Sequence, residues 1–540
     1  MGNFPSVVID KFLGMNTSRN KLGLLPGQLS RNENYLYMST GGLEERGGGA
    51  KLSDPPAASV VFGGGNLELD DGTQYLITVQ GTTVYYYDSA WVTVKDATTP
   101  ASDFVLSATD KKIRFENAGY TTVSTFRSLY GVNANELVVK IYKDGANIVA
   151  KSIASSPTDL IKLKLHKNRL FGIDGKDTLY FTDALAFDTW TTATNNIQIF
   201  PGNYGRLKGL EIFGDALFIF KEYAVFVLPN AADANPTTAW NILKVDAYTG
   251  TQSPDSVRLT ADGIYYFSTD NYIRKINPTI TFSSGEYTLG GSGSPVISHP
   301  IQDDIRINAD LTAKDDYTAV TFKDLYILSF KTVNNASAYN DKTFFLDTTK
   351  FLPAIQGEIP QPFSGSFTGF DYNFYTIQNV TGEEKLYGFK GNTSDPGICQ
   401  ETLNSGIHND NDAAIVSYAI LGWVAPGGEY LYKKFKSIVF MGDTESWYIY
   451  LKFNSYRLGK ILSSDGEGTY KMFTTSLTAS AIVDTAIVDT AVISATGISS
   501  SRYKVSLKGQ YLTAEFSNPN VNEFTRINKL IVFYRPINQK

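Results

Sequence analysis

The sequence predicts an all-β protein, and three observations lead to that class. Aromatic residues make up 13% of the chain, with 33 Tyr and 33 Phe, and such side chains favour the pleated, half-buried surface of a strand. The 46 glycines can supply the positive φ angles that many tight turns require. Short apolar runs recur along most of the chain, separated by Gly, Asn and Asp. Because 540 residues exceed one ordinary core, we expect two or three domains.

Residues 1–60 are predicted to form an extended N-terminal arm. Turn-forming residues interrupt this segment repeatedly, and no 3.6-residue periodicity persists in it. A short helix over residues 28–37 is the alternative for part of it. The turn formers are Gly14, Asn16, Pro26-Gly27, Gly41-Gly42, Gly47-Gly48-Gly49 and Pro55-Pro56.

Residues 61–405 are predicted to form a β-propeller. Hairpins and meanders recur there about every 40–50 residues, which is the spacing of four-stranded propeller blades. The repeats carry no strict blade motif, so we predict about seven blades, with six or eight as the alternatives. Four of the clearest units lie at 74–94, 169–181, 209–227 and 257–276.

Residues 412–540 are predicted to form a separate antiparallel β-sandwich, because the apolar-alternating runs become longer there. A pentapeptide, Ala-Ile-Val-Asp-Thr, occurs at 481–485 and again at 486–490, and we interpret it as a duplicated loop or hairpin edge. The predicted strands are Ile415–Val424, Phe435–Met441, Trp447–Phe453, Tyr503–Phe516 and Ile527–Tyr534.

The charge balance argues against a protein whose main work is gripping nucleic acid. The chain has 48 basic and 54 acidic side chains, a net charge of −6, whereas such proteins are usually basic. The single cysteine, Cys399, excludes an intrachain disulfide. Asp484 and Asp489 interrupt the longest apolar stretch, so we predict no membrane anchoring.

No residue pattern indicates catalysis, a cofactor or a metal. The three histidines, His166, His299 and His408, have no Cys or His at a metal-ligand spacing. Residues 408–412 offer oxygen ligands for Ca²⁺ but lack the Gly and Glu of an EF-hand loop, which favours a polar linker between domains. We therefore predict no catalytic, cofactor-binding or metal residues, and a protein that is not an enzyme.

Five lysines are candidates for facing DNA or a neighbouring subunit. Lys162 and Lys164 share one face of a predicted strand with His166, because alternate strand residues point to the same side. An ordinary solvated face is the alternative for each of the five. The candidates are Lys162, Lys164, Lys167, Lys433 and Lys434.

Several segments, in the same order along the chain, resemble the tail nozzle family of short-tailed bacteriophages, also called tail tubular protein B or packaged-DNA stabilization protein. The resembling segments are Phe12–Asn16, Leu25–Gln28, Gly41–Gly48, His166–Phe171, Leu179–Phe181, Asp188–Trp190, Gly209–Leu228, Gly250–Ser268 and Gly509–Ile527.

The resemblance implies a structural virion protein. Such a protomer carries a propeller and assembles, usually as a homo-hexamer, below the portal and adaptor rings. The tube retains the packaged double-stranded DNA and conducts it during ejection, with weak non-specific contact. It would be assembled in the bacterial cytoplasm and reside in the phage tail. Residues 1–50 and 412–540 would contribute to subunit contacts, with Gly41, Gly42, Arg46 and Gly47 as a candidate inter-subunit clasp.

Two other functions fit the same predicted architecture, since a fold does not fix a function. One is a carbohydrate-binding, receptor-binding propeller of a virion or cell surface, on which exposed Tyr and Trp would stack on sugars. The other is a glycoside hydrolase on a propeller scaffold, which needs a buried carboxylate pair. The Gly- and Pro-rich N-terminal segment and the missing carboxylate constellation favour the structural virion protein.

Overall fold

The computed structural model consists mainly of β-strands, which confirms the predicted all-β class. Helix α1 spans Gln302–Asn308, and 3-10 turns span His299–Ile301 and Lys314–Asp316. The structure describes residues 4–19, 23–53, 57, 59–107, 111–119, 127–231, 240–246, 248–283, 286–290, 293–336, 339–352, 359–390, 399–427, 431–444, 446–454, 470–476, 492–493, 499–509, 511–518 and 525–537.

Six short strands occupy the N-terminal segment: β1 (Ser6–Ile9), β2 (Leu13–Met15), β3 (Gln28–Glu33), β4 (Tyr35–Tyr37), β5 (Leu43–Glu45) and β6 (Gly48–Lys51). The alternative of a helix over 28–37 is therefore wrong. The backbone groups of β3 are hydrogen-bonded to other strands on both sides, and this pairing prevails over any local helical preference.

In the described residues seven successive blades of three to five mainly antiparallel strands follow, and blades six and seven are parts of larger sheets. Blade one contains β7 (Val61–Glu68), β8 (Gln74–Gln80), β9 (Thr83–Asp88) and β10 (Ala90–Thr93). Blade two contains β11 (Lys95–Asp96), β12 (Arg114–Ala118), β13 (Ser128–Val132), β14 (Val139–Asp144) and β15 (Asn147–Ser152). Blade three contains β16 (Lys162–His166), β17 (Arg169–Ile173), β18 (Thr178–Phe181) and β19 (Asn196–Gln198). Blade four contains β20 (Leu207–Phe213), β21 (Ala216–Lys221), β22 (Val225–Leu228) and β23 (Leu243–Asp246).

Blade five contains β24 (Arg258–Thr260), β25 (Gly263–Phe267) and β26 (Ile273–Ile276), and the hairpin β27 (Thr279–Ser283) and β28 (Glu286–Gly290) follows it. Blade six contains β29 (Thr318–Phe322), β30 (Leu325–Phe330), β31 (Lys342–Phe351) and β32 (Pro362–Phe367). Blade seven contains β33 (Tyr372–Val380), β34 (Glu383–Lys390) and β35 (Cys399–Asn404), and β6 supplies its fourth strand.

The blades are arranged around a common axis as a β-propeller. The inner strand of each blade contacts the inner strand of the next, in the order β7, β12, β16, β20, β24, β29 and β33, and β33 contacts β7. Each middle strand is covered on both faces by neighbouring blades, so it reads as a continuous apolar run and not as an alternating one. In blade four, all six residues of β21 and all four of β22 are buried.

The C-terminal strands are β36 (Asn409–Asp410), β37 (Ala413–Ala414), β38 (Ser417–Leu421), β39 (Tyr432–Thr444), β40 (Ser446–Asn454), β41 (Tyr470–Ser476), β42 (Val492–Ile493), β43 (Ser499–Gly509), β44 (Tyr511–Asn518) and β45 (Thr525–Ile537). The strands from β38 onwards form two antiparallel layers, whereas β36 and β37 extend the sheet of blade seven through β6. One has the order β38-β44-β40-β41 and the other β45-β39-β43-β42. Ala419 and Phe516 of the first layer share one core with Leu530 of the second, and Leu29 of β3 and Leu43 of β5 belong to the same core. The tandem pentapeptide at 481–490 lies outside the described residues.

The N-terminal segment is extended, as predicted, but it is built into both domains and is not a separate arm. Strand β3 pairs with β32 of blade six and with β38, so one ten-stranded sheet runs from the propeller into the sandwich. Strands β1 and β5 pair with β45, and β6 completes blade seven. The physical reason is that a chain without internal hydrogen bonds satisfies its backbone groups at the edges of sheets.

Candidate functional site

The inner strands of the propeller project charged side chains into a narrow axial channel. This channel encloses a cavity of about 90 Å³. Alternate residues of β12 and β16 face it, because strand neighbours point to opposite sides. The charged lining side chains are Arg114, Glu116, Lys162, Lys164, Glu211, Asp255 and Arg258.

Asp255 is the centre of the first ion network in the channel. Its Oδ2 accepts a hydrogen bond from Arg114 Nε at 2.7 Å, and its Oδ1 accepts one from Lys162 Nζ at 2.9 Å. Burial opposes ionisation of this carboxyl, but the cations Arg114 and Lys162 outweigh burial and hold its pKa far below the ordinary value. Burial lowers the pKa of Lys162, assisted by repulsion from Arg258 and Arg114. Cationic charge is therefore in excess at this point.

A second network lies two residues further along the same inner strands. Lys164 Nζ lies 2.7 Å from Glu211 Oε1, and Glu116 adds a second negative charge. Although burial lowers the pKa of Lys164, the two carboxylates raise it above the ordinary value. Two carboxylates thus surround one ammonium here, and the charge of Arg258 also acts on Glu211, whereas cations outnumber carboxylates around Asp255.

Two ion pairs lie beside these networks, on the turn Lys314–Asp316. Lys112 Nζ lies 3.3 Å from Asp316 Oδ1, and Lys208 Nζ lies 2.9 Å from Asp315 Oδ1. The Asp315 and Asp316 side chains are more than half exposed, whereas the two lysines are largely buried. The turn therefore supplies exposed anionic groups to two covered cations.

The structure places Lys162 and Lys164 on one face of β16, as predicted, but that face lines the interior of the propeller. Both ammonium groups form ion pairs within the chain, Lys162 with Asp255 and Lys164 with Glu211. A cavity equal to about three water volumes is far too small for a DNA duplex, so the prediction that these two lysines face DNA is wrong. His166 ends the same strand, and burial lowers its pKa to about 4.

The other three candidate lysines differ among themselves. Lys167 lies on the exposed β16–β17 turn, with its Nζ 2.8 Å from Asp215 Oδ1. Lys433, on β39, is fully buried, so its predicted DNA contact is wrong. Lys434 is half-buried on the same strand, and its role stays a prediction.

The predicted clasp residues fasten the N-terminal segment to its own chain. Arg46 is buried: its Nε donates to Asn34 Oδ1 at 2.9 Å, and its guanidinium forms an ion pair with Asp410. A Cβ at Gly47 would collide with the Asn404 backbone. The Gly41 carbonyl accepts a hydrogen bond from the Phe12 backbone N–H at 2.8 Å. Gly42 also packs closely on the backbone of β45, where a Cβ would lie 2.7 Å from the Ile527 carbonyl oxygen. These residues therefore form a seam within the chain, and their contact with a neighbouring subunit stays a prediction.

The structure also gives Asp410 a partner in place of the Ca²⁺ considered for residues 408–412. Within the described ranges, no group of three or more His, Cys, Asp or Glu side chains is placed to hold a metal ion. None of the helices in the described part of the chain has the length and apolarity needed to span a bilayer.

Sequence reasoning missed Arg114, Glu116, Glu211, Asp255 and Arg258. A usable signal exists for two of them, because Arg114 and Glu116 alternate on an inner strand in the same way as Lys162 and Lys164. Asp255 gave no such signal, since it precedes its strand and meets its partners from blades two and three across the axis.

No protein-family model matches the chain, and no curated protein matches it. Among solved structures, the chain is similar to the N-terminal domain of Nup159, with a TM-score of 0.33 and 9% identity over 68% of this chain and 98% of that one. It is similar to YCF48 bound to D1 peptide, with a TM-score of 0.34 and 11% identity over 68% and 97%. It is also similar to an exo-β-1,3-galactanase from Phanerochaete chrysosporium, with a TM-score of 0.25 and 12% identity over 82% and 98%. Likenesses this distant carry no argument about function.

Proposed function

We propose that this chain is a structural subunit of a phage tail nozzle, which retains packaged double-stranded DNA and conducts it during ejection. The observation that carries the proposal is the seam made by residues 12–48. These residues include three of the segments that resemble the nozzle family, and they hydrogen-bond blades six and seven to both layers of the sandwich. A subunit built in this way transmits force between its two domains through continuous sheet hydrogen bonds.

The filled propeller axis determines where DNA would pass. Because the axial cavity is only about 90 Å³, the conduit lies between copies of the chain and not through one propeller. A closed ring of head-to-tail contacts, most simply a homo-hexamer, provides such a conduit. The ring would bind the portal and adaptor above it in the virion.

The charge balance supports a conduit in which DNA slides. A net charge of −6 per chain, repeated around a ring, repels phosphate, whereas many Lys and Arg contacts would bind DNA tightly and oppose sliding. We propose no catalytic activity for this subunit. The axial carboxylates Asp255 and Glu211 form ion pairs with lysines of the same chain, which is consistent with a structural role for both.

The test is a virion assembled without this chain. Particles that lack it should package DNA and then lose it, and supplying the protein during assembly should restore retention. Native mass spectrometry of the protein with its adaptor ring should give a closed oligomer. Stable, DNA-filled particles without the chain would contradict the retention role.

A carbohydrate-binding propeller is the second candidate, and one loop favours it. Phe200 and Tyr204 have φ angles of 44° and 63°, a left-handed backbone that is rare for aromatic residues and recurs at functional sites. Buried Lys221 fixes this loop by donating to the carbonyls of Ile199 and Phe200. Phe200 and Tyr223 are exposed beside it, as an aromatic platform for a sugar ring would be.

A glycan array with the wild-type protein tests this second candidate. Glycan binding that is lost in Phe200→Ala and in Tyr223→Ala, but kept in the control Tyr248→Ala, would show that Phe200 and Tyr223 form the sugar-binding site. An array without bound glycans removes the candidate and leaves the structural proposal unaffected.

A further inference from the structure

The charge around Asp255 is unbalanced. Four cationic side chains act on this one carboxylate: Lys112, Arg114, Lys162 and Arg258. Arg114 and Lys162 occupy its two oxygens. Within the described residues Arg258 has no ion pair; its Nε donates to the Ala319 carbonyl at 2.6 Å and its Nη1 to the Val257 carbonyl at 3.3 Å. The hydrogen-bond partners of this guanidinium are therefore carbonyls, and its charge acts on Asp255 and Glu211 without a direct ion pair to either.

Uncompensated charge in a covered channel is unfavourable, because burial removes hydration that a carbonyl replaces only in part. The pKa values of Lys112 and Lys162 are both lowered, for which burial is the main cause, although each lysine has an ion pair. An added anion would remove this repulsion. The cavity of about 90 Å³ has room for a group the size of a few water molecules.

We propose that the axial channel binds a small oxyanion, either inorganic phosphate or the terminal phosphate of a larger molecule, at the cluster of Arg114, Lys162 and Arg258. Arginine suits this ligand because its planar fork of N–H donors matches the oxygens of a phosphate. The second network, with two carboxylates for Lys164, keeps the anion at the Asp255 end. This inference goes beyond the proposed function and stands independently of it.

The turn Lys314–Asp316 carries carboxylates that compete with an anion for cations near this site. Asp316 forms an ion pair with Lys112, and Asp315 forms one with Lys208. These two carboxylates therefore neutralise cations that would otherwise attract a bound anion. Removing one of these carboxylates frees a cation without opening the core, because the Asp316 side chain is 52% exposed. Asp316→Asn should therefore bind phosphate more tightly than the wild type.

Isothermal titration of the full chain with inorganic phosphate, at constant ionic strength held with chloride, tests the site. We expect one phosphate per chain, tighter binding in Asp316→Asn, and binding about tenfold weaker or more in Arg258→Met, the loss expected for a charge-assisted hydrogen bond. Arg306→Met removes an exposed arginine of α1 and should match the wild type. Equal affinity in the wild type, Arg258→Met and Asp316→Asn would overturn the proposal, as would no phosphate binding.

The experiment also needs a comparison that does not depend on Arg258→Met, and a competition that identifies the source of the phosphate. If Arg258→Met fails to fold, Asp316→Asn and the wild type carry the comparison, and an affinity that does not rise counts against the site. Competition by 5′-phosphorylated oligonucleotide, but not by the unphosphorylated strand, identifies a terminal phosphate as the source. Binding of inorganic phosphate without such competition identifies the free ion.

Discussion

Two buried carboxylates in this chain have opposite surroundings and opposite titration. Asp255 in the propeller axis accepts hydrogen bonds from two cations, Arg114 and Lys162. Glu45 in the N-terminal seam accepts from three neutral donors: the Ser417 hydroxyl, the Asn518 amide and the Thr525 backbone N–H. The pKa of Asp255 is far below its ordinary value, whereas burial raises that of Glu45 to about 7.

The difference shows that burial alone does not set the protonation state. Desolvation penalises the charged form of both carboxyls, and the two carboxyls differ in the charge of their partners. Neutral donors to Glu45 offset part of the penalty, while two adjacent cations reverse it for Asp255. The axis is therefore held by ions at neutral pH, and the seam is most stable with a proton on Glu45.

The largest expected effect comes from removing the charge of Asp255. Asp255→Asn leaves Arg114 and Lys162 covered and without a counter-ion, and breaking a buried pair in this way costs about 3–5 kcal/mol. Urea unfolding at pH 7 measures it. Asp144→Asn, at the exposed end of β14 in blade two, is the matched control and should leave the midpoint unchanged. Similar midpoints for the two variants would show that Asp255 does not hold the axis together.

The two carboxylates should respond to pH in opposite directions. Glu45 has a raised pKa, so its contribution to stability is complete below about pH 4.5 and is lost as the pH rises to about 7. That loss is on the order of 3 kcal/mol, since one pKa unit corresponds to roughly 1.4 kcal/mol. The pKa of Asp255 is lowered. Its contribution to stability is therefore complete at a pH above the ordinary pKa of an aspartate, and it is lost as the pH falls below that pKa.

Unfolding free energies of the wild type and Glu45→Gln, measured between pH 4.5 and 8, separate these effects. The difference between the two proteins should change between pH 4.5 and about 7 and level off above that, because the glutamine does not titrate. Parallel curves would mean that Glu45 is ionised throughout and that its three donors compensate burial fully.

A smaller effect is expected at Gly48, where the seam meets β36. A Cβ at this position would overlap the Asn409 carbonyl oxygen, so Gly48→Ala should lose about 1–3 kcal/mol through a forced backbone shift. Gly23→Ala is the control, since a Cβ there meets nothing within 4 Å. If both variants unfold at the same urea concentration, the seam does not depend on this close approach.

The blades could be predicted from the sequence, whereas the seam and the partners of Asp255 could not. The blades follow from local hairpins such as Leu210–Phe226, whose strands and turn are contiguous, and the shared face of Lys162 and Lys164 follows from alternation alone. The seam depends on pairings across several hundred residues, such as Glu45 with Asn518, which no local pattern encodes. The same holds for the partners of Asp255, which come from other blades.

The smallest effect should come from Lys167, which the sequence pattern did not distinguish from Lys162 and Lys164 as a candidate for facing DNA. Its partner Asp215 is 90% exposed, so water and salt screen the pair and its net contribution to stability is small. Lys167→Ala should unfold at the wild-type urea midpoint, whereas Lys162→Met should unfold earlier because Asp255 then loses one of its two cations. A large shift in Lys167→Ala would require an interaction of the β16–β17 turn beyond this pair. An unshifted Lys162→Met would mean that Arg114 alone suffices to keep Asp255 ionised.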